Sequence, residues 1–396
     1  MRLQSCIGIP GGWSIGTVES ICQRVTSGGT PSRRRPDFYA EGSLPWVKTK
    51  ELDDGWVMST EERITYDASK LSSAKLLPAN TILMAMYGAT VGKLGLLSTP
   101  MTCNQACCAL IVDESKAAFR YVFYQLLANR SQIRKLATGA AQQNISGELI
   151  RKLELPLPPL PTQAAIAEVL GALDDKIDLN RRTIDITHEL CLALFQKTSE
   201  KAVRRTRLDD LLELNPRRTV VFGTPASYID MKALPINSAL VRDIASRPAR
   251  PGSRFARGDT LLARITPCLE NGKTAFVDSV DIGWGSTEFI VMKPFPPLFD
   301  EYAYLLARTP NFRSHAIASM SGSSGRQRVP TDAVAAYQAP VFEDDAGKAL
   351  GAQIKPMFEM MGALENENRA LARLRDALLP ELISGRMTVK EAAAAV

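Results

Sequence analysis

Hydrophobic or small residues, with few polar exceptions, recur in alternating steps of four and three in two stretches of the chain. In the first stretch they fall at Ile166, Leu170, Leu173, Ile177, Asn180, Ile184, Thr187, Cys191 and Leu194. In the second they fall at Leu350, Ile354, Met357, Met361, Leu364, Asn368, Leu371, Arg375, Leu378 and Leu382. This spacing is typical of a coiled-coil seam, and it predicts long helices over about residues 162–200 and 345–385.

Each predicted seam carries an asparagine near its middle, Asn180 in the first and Asn368 in the second. A polar residue at one seam position lowers stability but specifies the register, because a shifted pairing would bury its amide without a partner. We therefore expect the two helices to pair with each other, with these asparagines setting the register. The alternative is that each helix packs only on its own domain.

The proline-rich residues 155–161 separate the first predicted helix from the segment before it. Proline interrupts regular backbone hydrogen bonding, so no strand or helix is expected to run through this segment. Thr162 follows directly and is the expected N-cap of the first long helix.

The rest of the chain is a repeat of short apolar runs separated by turn residues. Residues 81–86 begin with Thr81 and lead to Gly92 and Lys93, and residues 260–265 begin with Thr260 and lead to Gly272 and Lys273. Residues 123–127 resemble 302–306, and 142–146 occupy the place of 326–330. A repeat of roughly 180 residues indicates a duplicated domain, since solenoid and propeller units are much shorter.

The pattern therefore predicts an α+β fold with two duplicated domains joined by two long antiparallel helices that form a coiled coil. Residues 81–86 and 109–112 are expected to be strands of the first domain. The predicted boundaries are 1–155 for the first domain, 156–202 for the first helical segment, 203–342 for the second domain, and 343–396 for the second helix with the C-terminal tail.

Composition limits the class of protein. The 396 residues are 45% hydrophobic and 23% charged, and 48 basic against 42 acidic residues leave a net charge of +6. This is a globular composition whose mild positive charge permits a nucleic-acid partner without requiring one. No apolar run approaches the roughly 20 residues of a membrane helix, and no signal peptide is evident, so we expect a cytoplasmic protein without membrane contact.

Few residues suit catalysis or metal binding. The seven cysteines form no C-x-x-C pair, and the densest group, Cys103, Cys107 and Cys108, is expected to be buried thiols rather than a metal site. His188 and His315 are the only histidines. Residues 88–93 are one residue short of a phosphate-binding P-loop, and Pro267 stands where a second P-loop would need its first glycine. A chain without catalytic activity of its own is predicted.

Polar side chains in loops are the candidate DNA contacts. Arginine matches phosphate and guanine edges, carboxamides match adenine edges, and a Gly-Lys turn allows close approach with a lysine for a phosphate. The candidates in the first half are Thr30, Ser32, Arg33, Arg34, Arg35, Lys48, Lys50, Lys93, Gln142, Gln143 and Asn144. Those in the second half are Arg217, Arg218, Arg264, Lys273, Arg326, Gln327 and Arg328, and Arg247, Arg250, Arg254 and Arg257 add positive charge nearby. The alternatives are a solvated basic surface and, for the Gly-Lys units, simple turns.

Four features, in order along nearly the whole chain, carry a family resemblance. They are Gly12 with Trp13, residues 27–32 followed by 45–47, residues 157–163 opening a helix, and residues 374–385 near the end. With the duplicated plan, they resemble the specificity subunit of a type I restriction-modification system. The second half departs from the pattern, because it lacks the Gly-Gly-Thr-Pro run and begins with residues 214–218 instead.

The resemblance implies two target-recognition domains that each read one half of a split, asymmetric site in double-stranded DNA. The two helices would set the number of unread base pairs; about 35 helical residues span roughly 50 Å, or about 15 base pairs. The helices would also dock two modification subunits, which methylate adenine, and the complex can add restriction subunits. S-adenosylmethionine, ATP and Mg²⁺ are expected in those partners, and no cofactor in this chain.

Two other functions stay open from the residues alone. The chain could be a scaffold whose helices bind proteins and whose domains bind no DNA. It could also be a nucleic-acid enzyme with a carboxylate site built around Asp259 or Glu288.

Overall fold

The computed structural model describes residues 3, 8–137, 144–323 and 325–394. It shows a mixed α/β chain with two compact units. The first unit comprises Met1–Ile177 and Ala370–Val396, and the second comprises Asp178–Arg369. Each unit therefore contains its own β-sheets and a part of both long helices.

The described part of the first unit contains three sheets. One sheet has five strands, in the order Cys22–Ser27, Cys107–Val112, Ile82–Ala85, Leu94–Leu97 and Gly55–Val57. A second sheet has three strands, in the order Arg63–Ile64, Leu44–Val47 and Thr102–Cys103. In the third, Ser14–Thr17 pairs antiparallel with Glu154–Leu157. Its short helices are Val18–Ile21, Tyr66–Leu71, Phe119–Ala128, Arg130–Lys135, Gly147–Arg151 and Val389–Ala393, with 3-10 turns at Pro36–Phe38, Thr49–Glu51 and Gly88–Thr90.

The second unit repeats much of this plan. One four-stranded sheet has the order Leu212–Leu214, Phe289–Pro294, Thr260–Ala263 and Thr274–Phe276. Another four-stranded sheet has the order Ala245–Pro248, Pro225–Ile229, Ile282–Gly285 and Ser253–Ala256. Arg204–Arg207 pairs antiparallel with Gln338–Val341. The short helices are Tyr302–Arg308, Pro310–Ala318 and Thr331–Ala335, with a 3-10 turn at Leu208–Asp210.

The first long helix covers Leu160–Lys201 and the second covers Asp344–Ser384. In the second unit, Asn180 lies against Asn368, and the sulfur of Cys191 lies 3.6 Å from that of Met357. From Asn180 to Cys191 the first helix advances by eleven residues, while from Asn368 to Met357 the second runs back by eleven. The helices pair antiparallel, which confirms the predicted arrangement.

Most of the predicted seam positions are buried, and Leu194 is half-buried. In the first helix Ile166, Leu170, Leu173, Ile177, Asn180, Ile184, Thr187 and Cys191 are all buried. In the second helix Leu350, Ile354, Met361, Asn368, Leu378 and Leu382 are buried, and the remaining seam positions are half-buried. Seam residues also join a hydrophobic cluster of the unit in which they lie, so part of the core of each domain is continuous with its part of the helices.

The first long helix begins at Leu160, so the expectation that Thr162 is its N-cap was wrong. The backbone N–H of Thr162 already donates to the carbonyl of Pro159, at 2.8 Å. Pro161 is compatible with the first helical turn, because the N–H that proline lacks would have no helical acceptor there. The proline-rich segment therefore leads straight into the helix.

The sequence repeat pairs Thr81 with Thr260, but the structures of the two copies align with a shift of one residue. After the next strand, the N–H of Leu97 donates to the carbonyl of Thr81 at 3.0 Å, and the N–H of Val277 donates to that of Asp259 at 2.9 Å. The structural equivalent of Thr81 is therefore Asp259 and not Thr260.

The same alignment holds at the end of this strand. The N–H of Ile145 donates to the carbonyl of Met86 at 3.0 Å, and the N–H of Val329 donates to that of Arg264 at 2.9 Å. Met86 and Arg264 therefore occupy equivalent places, although one is apolar and the other is charged. Among the described residues, no helix is long and apolar enough to span a membrane.

Candidate nucleic-acid interface

In the first unit, Arg33 is held against two aromatic rings. Its guanidinium carbon lies 4.2 Å from the ring centre of Tyr39 and 5.3 Å from that of Trp46, and it donates to Glu62 at 2.6 Å. Trp46 is buried and donates its indole N–H to the carbonyl of Gly29, at 3.0 Å. Cation–π contact and the ion pair together fix the guanidinium beside Trp46 of the three-stranded sheet.

The neighbouring basic side chains also meet carboxylates. Arg35 donates to both oxygens of Asp37, at 2.9 and 2.6 Å, and Lys50 pairs with Glu61. Lys48 pairs with Glu62 and is only 19% exposed. Hydrogen bonds from Lys48 and then from Arg33 lower the pKa of the Glu62 carboxyl.

The remaining candidates of this region are freer. Ser32 and Arg34 are exposed, and no ion pair forms on Arg34 within the part of the chain that the structure describes. The hydroxyl of Thr30 donates to the side-chain oxygen of Gln105, which fixes the beginning of the loop. The three consecutive arginines are therefore unequal, since Arg34 alone lacks a carboxylate.

The first Gly-Lys unit is a turn held by the protein itself. Gly92 has φ +78°, a left-handed conformation that favours glycine, and its carbonyl accepts from Arg130 Nε at 3.0 Å. Lys93 pairs with Asp53 at 3.0 Å and is 40% exposed.

Asn144 is exposed and forms an isolated β-bridge with Tyr87. Gln142 and Gln143 lie outside the described residues.

In the second unit, several candidate arginines come together around one cavity of about 460 Å³. Its lining comprises Asn215, Pro216, Arg217, Arg218, Gly252, Ser253, Arg254, Arg264, Thr287, Phe289 and Val291. Four of these side chains are guanidinium groups and none is a carboxylate. The cavity is therefore strongly positive.

The loop that brings Arg217 and Arg218 to the cavity is fixed at both ends. Asn215 exchanges two hydrogen bonds with Val291, its N–H donating to the carbonyl at 2.7 Å and its side-chain oxygen accepting from the N–H at 3.0 Å. Arg218 donates to both carboxylate oxygens of Asp259, at 2.6 and 3.0 Å. Asp259 is fully buried, and burial raises the pKa of its carboxyl despite this pairing.

Arg264 reaches the cavity from the end of the strand Thr260–Ala263. Its N–H donates to the carbonyl of Glu288 at 2.9 Å, and its carbonyl accepts from Val329, so backbone bonds fix it on both sides. Its Nε is buried and has no hydrogen-bond partner among the described residues. A buried charged donor without an acceptor is unfavourable, so this nitrogen is available to donate to a bound acceptor.

The other candidates of the second unit lie outside this lining. Gly272 has φ +76°, and Lys273 Nζ donates to the carbonyl of Met231 at 2.9 Å. Arg328 forms a two-pronged pair with Glu288, and these hydrogen bonds raise the pKa of Arg328. Arg326 is exposed, and Gln327 is half-buried.

The two seam asparagines contact each other. Asn180 Nδ2 donates to Asn368 Oδ1 at 3.0 Å and to Glu367 Oε2 at 2.8 Å. Asn368 Nδ2 is buried and has no hydrogen-bond partner within the described ranges.

The cysteines considered for metal binding are buried, and the carboxylates considered for catalysis are ion-paired. Cys103, Cys107 and Cys108 are buried, and burial raises the pKa of Cys108 to about 12, so it stays a thiol. Asp259 and Glu288 each pair with an arginine. In the described part of the chain, no three His, Cys, Asp or Glu side chains are grouped so that they could hold a metal.

Some features of these sites had no signal in the sequence. Nothing in the order of residues indicated that Glu62 would meet Arg33 and Lys48, that Asn215 would fix its loop, or that Thr287 would line the cavity. Such contacts join residues that are distant along the chain.

Residues 10–188 match the family described as type I restriction modification DNA specificity domain. Over nearly its whole length the chain is similar to the type I restriction enzyme MjaIX specificity subunit of Methanocaldococcus jannaschii, with 21% identity over 97% of this chain and 95% of that protein. It is also 32% identical to the EcoR124I/EcoR124II specificity subunit of Escherichia coli, over 37% of each chain.

A solved structure has the same fold. The S subunit of a type I restriction-modification system from M. genitalium superposes with a TM-score of 0.63, covering 95% of this chain and 96% of that one at 16% identity.

Proposed function

The chain belongs to the specificity subunits of type I restriction-modification systems, and we propose that it reads a split DNA site for a complex whose partners methylate it. Its role is DNA sequence specificity. The observation that carries this conclusion is the DNA specificity domain at residues 10–188, within a chain whose second unit repeats much of the fold of the first.

Each unit would read one half of an asymmetric, double-stranded site. Exposed Arg34 and Asn144 in the first unit, and Arg217 and Arg326 in the second, have side chains available for groove edges or phosphates. Gln327, together with Gln142 and Gln143, would add carboxamides. Basic residues that pair with carboxylates would contact DNA only by exchanging those partners.

The paired helices would set the spacing between the half-sites. Both are continuous over more than 40 residues, at 42 and 41 residues. Asn180 and Asn368 would hold their register, because sliding either helix by one turn would separate the two amides.

The helices would also dock two modification subunits. Leu179, Ile186 and Leu190 point outward from the second unit, 59%, 67% and 46% exposed. Their spacing of seven and four residues places them on one face of the first long helix. An exposed apolar row of this kind supports a protein partner.

The chain itself would be non-catalytic. S-adenosylmethionine would bind in the modification subunits, and ATP and Mg²⁺ would act in the complex when restriction subunits join it. We place the complex in the cytoplasm, with its DNA.

The testing experiment is genome-wide adenine methylation in cells that carry this chain and its candidate methyltransferase, compared with cells that lack only this chain. We expect a split motif with a fixed spacer that disappears in the deletion. Unchanged methylation, with both proteins expressed and the methyltransferase active, would favour the scaffold alternative.

A second arm removes one helical turn from each long helix between matched seam positions. The half-site sequences should persist while the spacer changes. An unchanged spacer with methylation retained would rule out the helices as its determinant.

A further inference from the structure

We propose that the arginine-lined cavity of the second unit is a phosphate-binding site that anchors one DNA backbone phosphate beside the second half-site. The proposal rests on the DNA-reading function proposed above. It concerns Arg217, Arg254 and Arg264, the three lining arginines that do not pair with a carboxylate in the described part of the chain.

The charge balance of the cavity favours an anion. Arg218 is neutralised by buried Asp259, which leaves three guanidinium groups and no lining carboxylate. Like charges held close together repel, and a dianion or a phosphodiester between them removes that repulsion. Among the described residues, the side chain of Arg254 donates one hydrogen bond, to the carbonyl of Arg250 at 2.9 Å, which positions it without neutralising it.

The unpartnered donor indicates what the anion must accept. Arg264 Nε is buried without an acceptor, although backbone bonds at both of its peptide groups fix the residue. A tetrahedral oxyanion accepts hydrogen bonds from several guanidinium groups at once, which a single carbonyl cannot do. The exposed hydroxyl-bearing residue Thr287 lies in the same lining.

The Arg264 position has no charged counterpart in the first unit. The equivalent residue is Met86, which is buried in the core of the first unit. A phosphate site that includes this position therefore belongs to the second unit and is not a general feature of the repeated fold.

The first test uses inorganic phosphate and the full chain. At matched ionic strength, phosphate in place of chloride should raise the melting temperature by roughly 2 °C, since a ligand that binds only the folded state stabilises it. Arg264→Gln should lose this rise. Arg257→Gln is the matched control, because Arg257 pairs with Asp281 outside the cavity lining.

The second test measures DNA affinity against salt for the complex with its methyltransferase. Arg264→Gln should reduce the magnitude of the negative slope of log K against log[salt] by about 1, and Arg257→Gln should leave it unchanged. Should Arg264→Gln fail to fold, judged by circular dichroism, Arg254→Gln takes its place in both tests.

The outcomes separate the two proposals. Loss of the phosphate response together with a smaller slope supports the DNA anchor. Loss of the phosphate response with an unchanged slope overturns it and assigns the cavity to a free phosphate compound. Specific DNA binding with neither effect overturns the cavity proposal alone, and absence of specific DNA binding overturns the proposed function whatever phosphate does.

Discussion

The two units share much of their backbone plan but use their basic residues differently. In the first unit, Arg33, Arg35, Lys48, Lys50 and Lys93 each pair with a carboxylate. In the second unit, three of the four arginines around the cavity pair with none in the described part of the chain. A paired cation must give up its carboxylate before it gains a phosphate, so equal charges need not contribute equally to DNA affinity.

The equivalent positions show where this difference arises. Thr81 and Asp259 make the same backbone hydrogen bond, as do Met86 and Arg264. Asp259 recruits Arg218, and Arg264 opens toward the cavity. Two charged replacements that flank the strand Thr260–Ala263 thus accompany the arginine-lined cavity, while the strand pairing stays the same.

The units also differ in how each sheet domain is joined to the first long helix. In the first unit, Tyr124 donates to Asp174 at 2.6 Å, and Arg375 donates to the same carboxylate at 2.6 Å. In the second unit, the hydroxyl of Tyr304 bonds to His188 at 2.8 Å. The contact in the first unit depends on an ion pair, and the contact in the second depends on a neutral imidazole ring. The first should therefore be sensitive to loss of a charge, and the second to protonation of the ring.

The largest expected effect on stability comes from breaking the Arg375–Asp174 ion pair of the first unit. Arg375→Met would leave Asp174, 16% exposed, with the Tyr124 hydroxyl as its side-chain hydrogen-bond donor among the described residues. Removing one partner of a largely buried pair should lower the free energy of unfolding by about 3 kcal/mol. Urea unfolding followed by circular dichroism measures this loss.

Asn368→Leu in the second unit is the matched comparison. It removes one hydrogen bond from Asn180, which keeps Glu367, and it also removes the buried Nδ2 that lacks a partner. These effects oppose each other, so the change should stay within about 1 kcal/mol. Equal losses in the two variants would show that the polar contacts of the two units are energetically alike.

The second effect is a pH dependence that arises at His188 in the second unit. Burial lowers the pKa of His188 from 6.5 to about 4. Below pH 6.5 the unfolded chain therefore binds a proton that the folded chain does not, and stability falls as pH falls toward 4. Between pH 7.5 and 5 the loss should be about 2 kcal/mol.

Substitution and hydrogen exchange test this origin. His188→Gln cannot titrate, so the stability of the wild type relative to this variant should fall by about 2 kcal/mol over the same pH range. Exchange protection, corrected for intrinsic rates, should fall in Tyr302–Arg308 before it falls in Phe119–Ala128. A pH dependence that persists in His188→Gln would point to another group.

The long helices were predictable because their signal is periodic and local. Seam positions such as Leu170 and Ile354 stand four or three residues from the next seam residue, and both are buried as expected. The asparagine pair followed from the same periodicity. The start of the helix at Leu160 was missed because proline can open a helix as well as interrupt one.

The sites were less predictable because they depend on contacts between distant residues. The sequence singled out Arg217, Arg218 and Arg264 as polar loop residues, but not that Arg218 would neutralise Asp259. Aligning Thr81 with Thr260 by residue type hid the equivalence of Met86 and Arg264. Identity of residues is a poor guide where the hydrogen-bonded register decides which positions correspond.

The smallest expected effect tests the comparison of charges directly. Arg217 is exposed and pairs with no carboxylate among the described residues, whereas Lys93 pairs with Asp53. In the DNA-binding complex, Arg217→Gln should reduce the magnitude of the slope of log K against log[salt] by about 1, and Lys93→Gln should reduce it by less than about half as much. Asp53→Asn should increase this magnitude, because it frees Lys93 for a phosphate. If Lys93→Gln and Arg217→Gln change the slope equally, the carboxylate partner does not limit the cation, and the two units contact DNA by the same means.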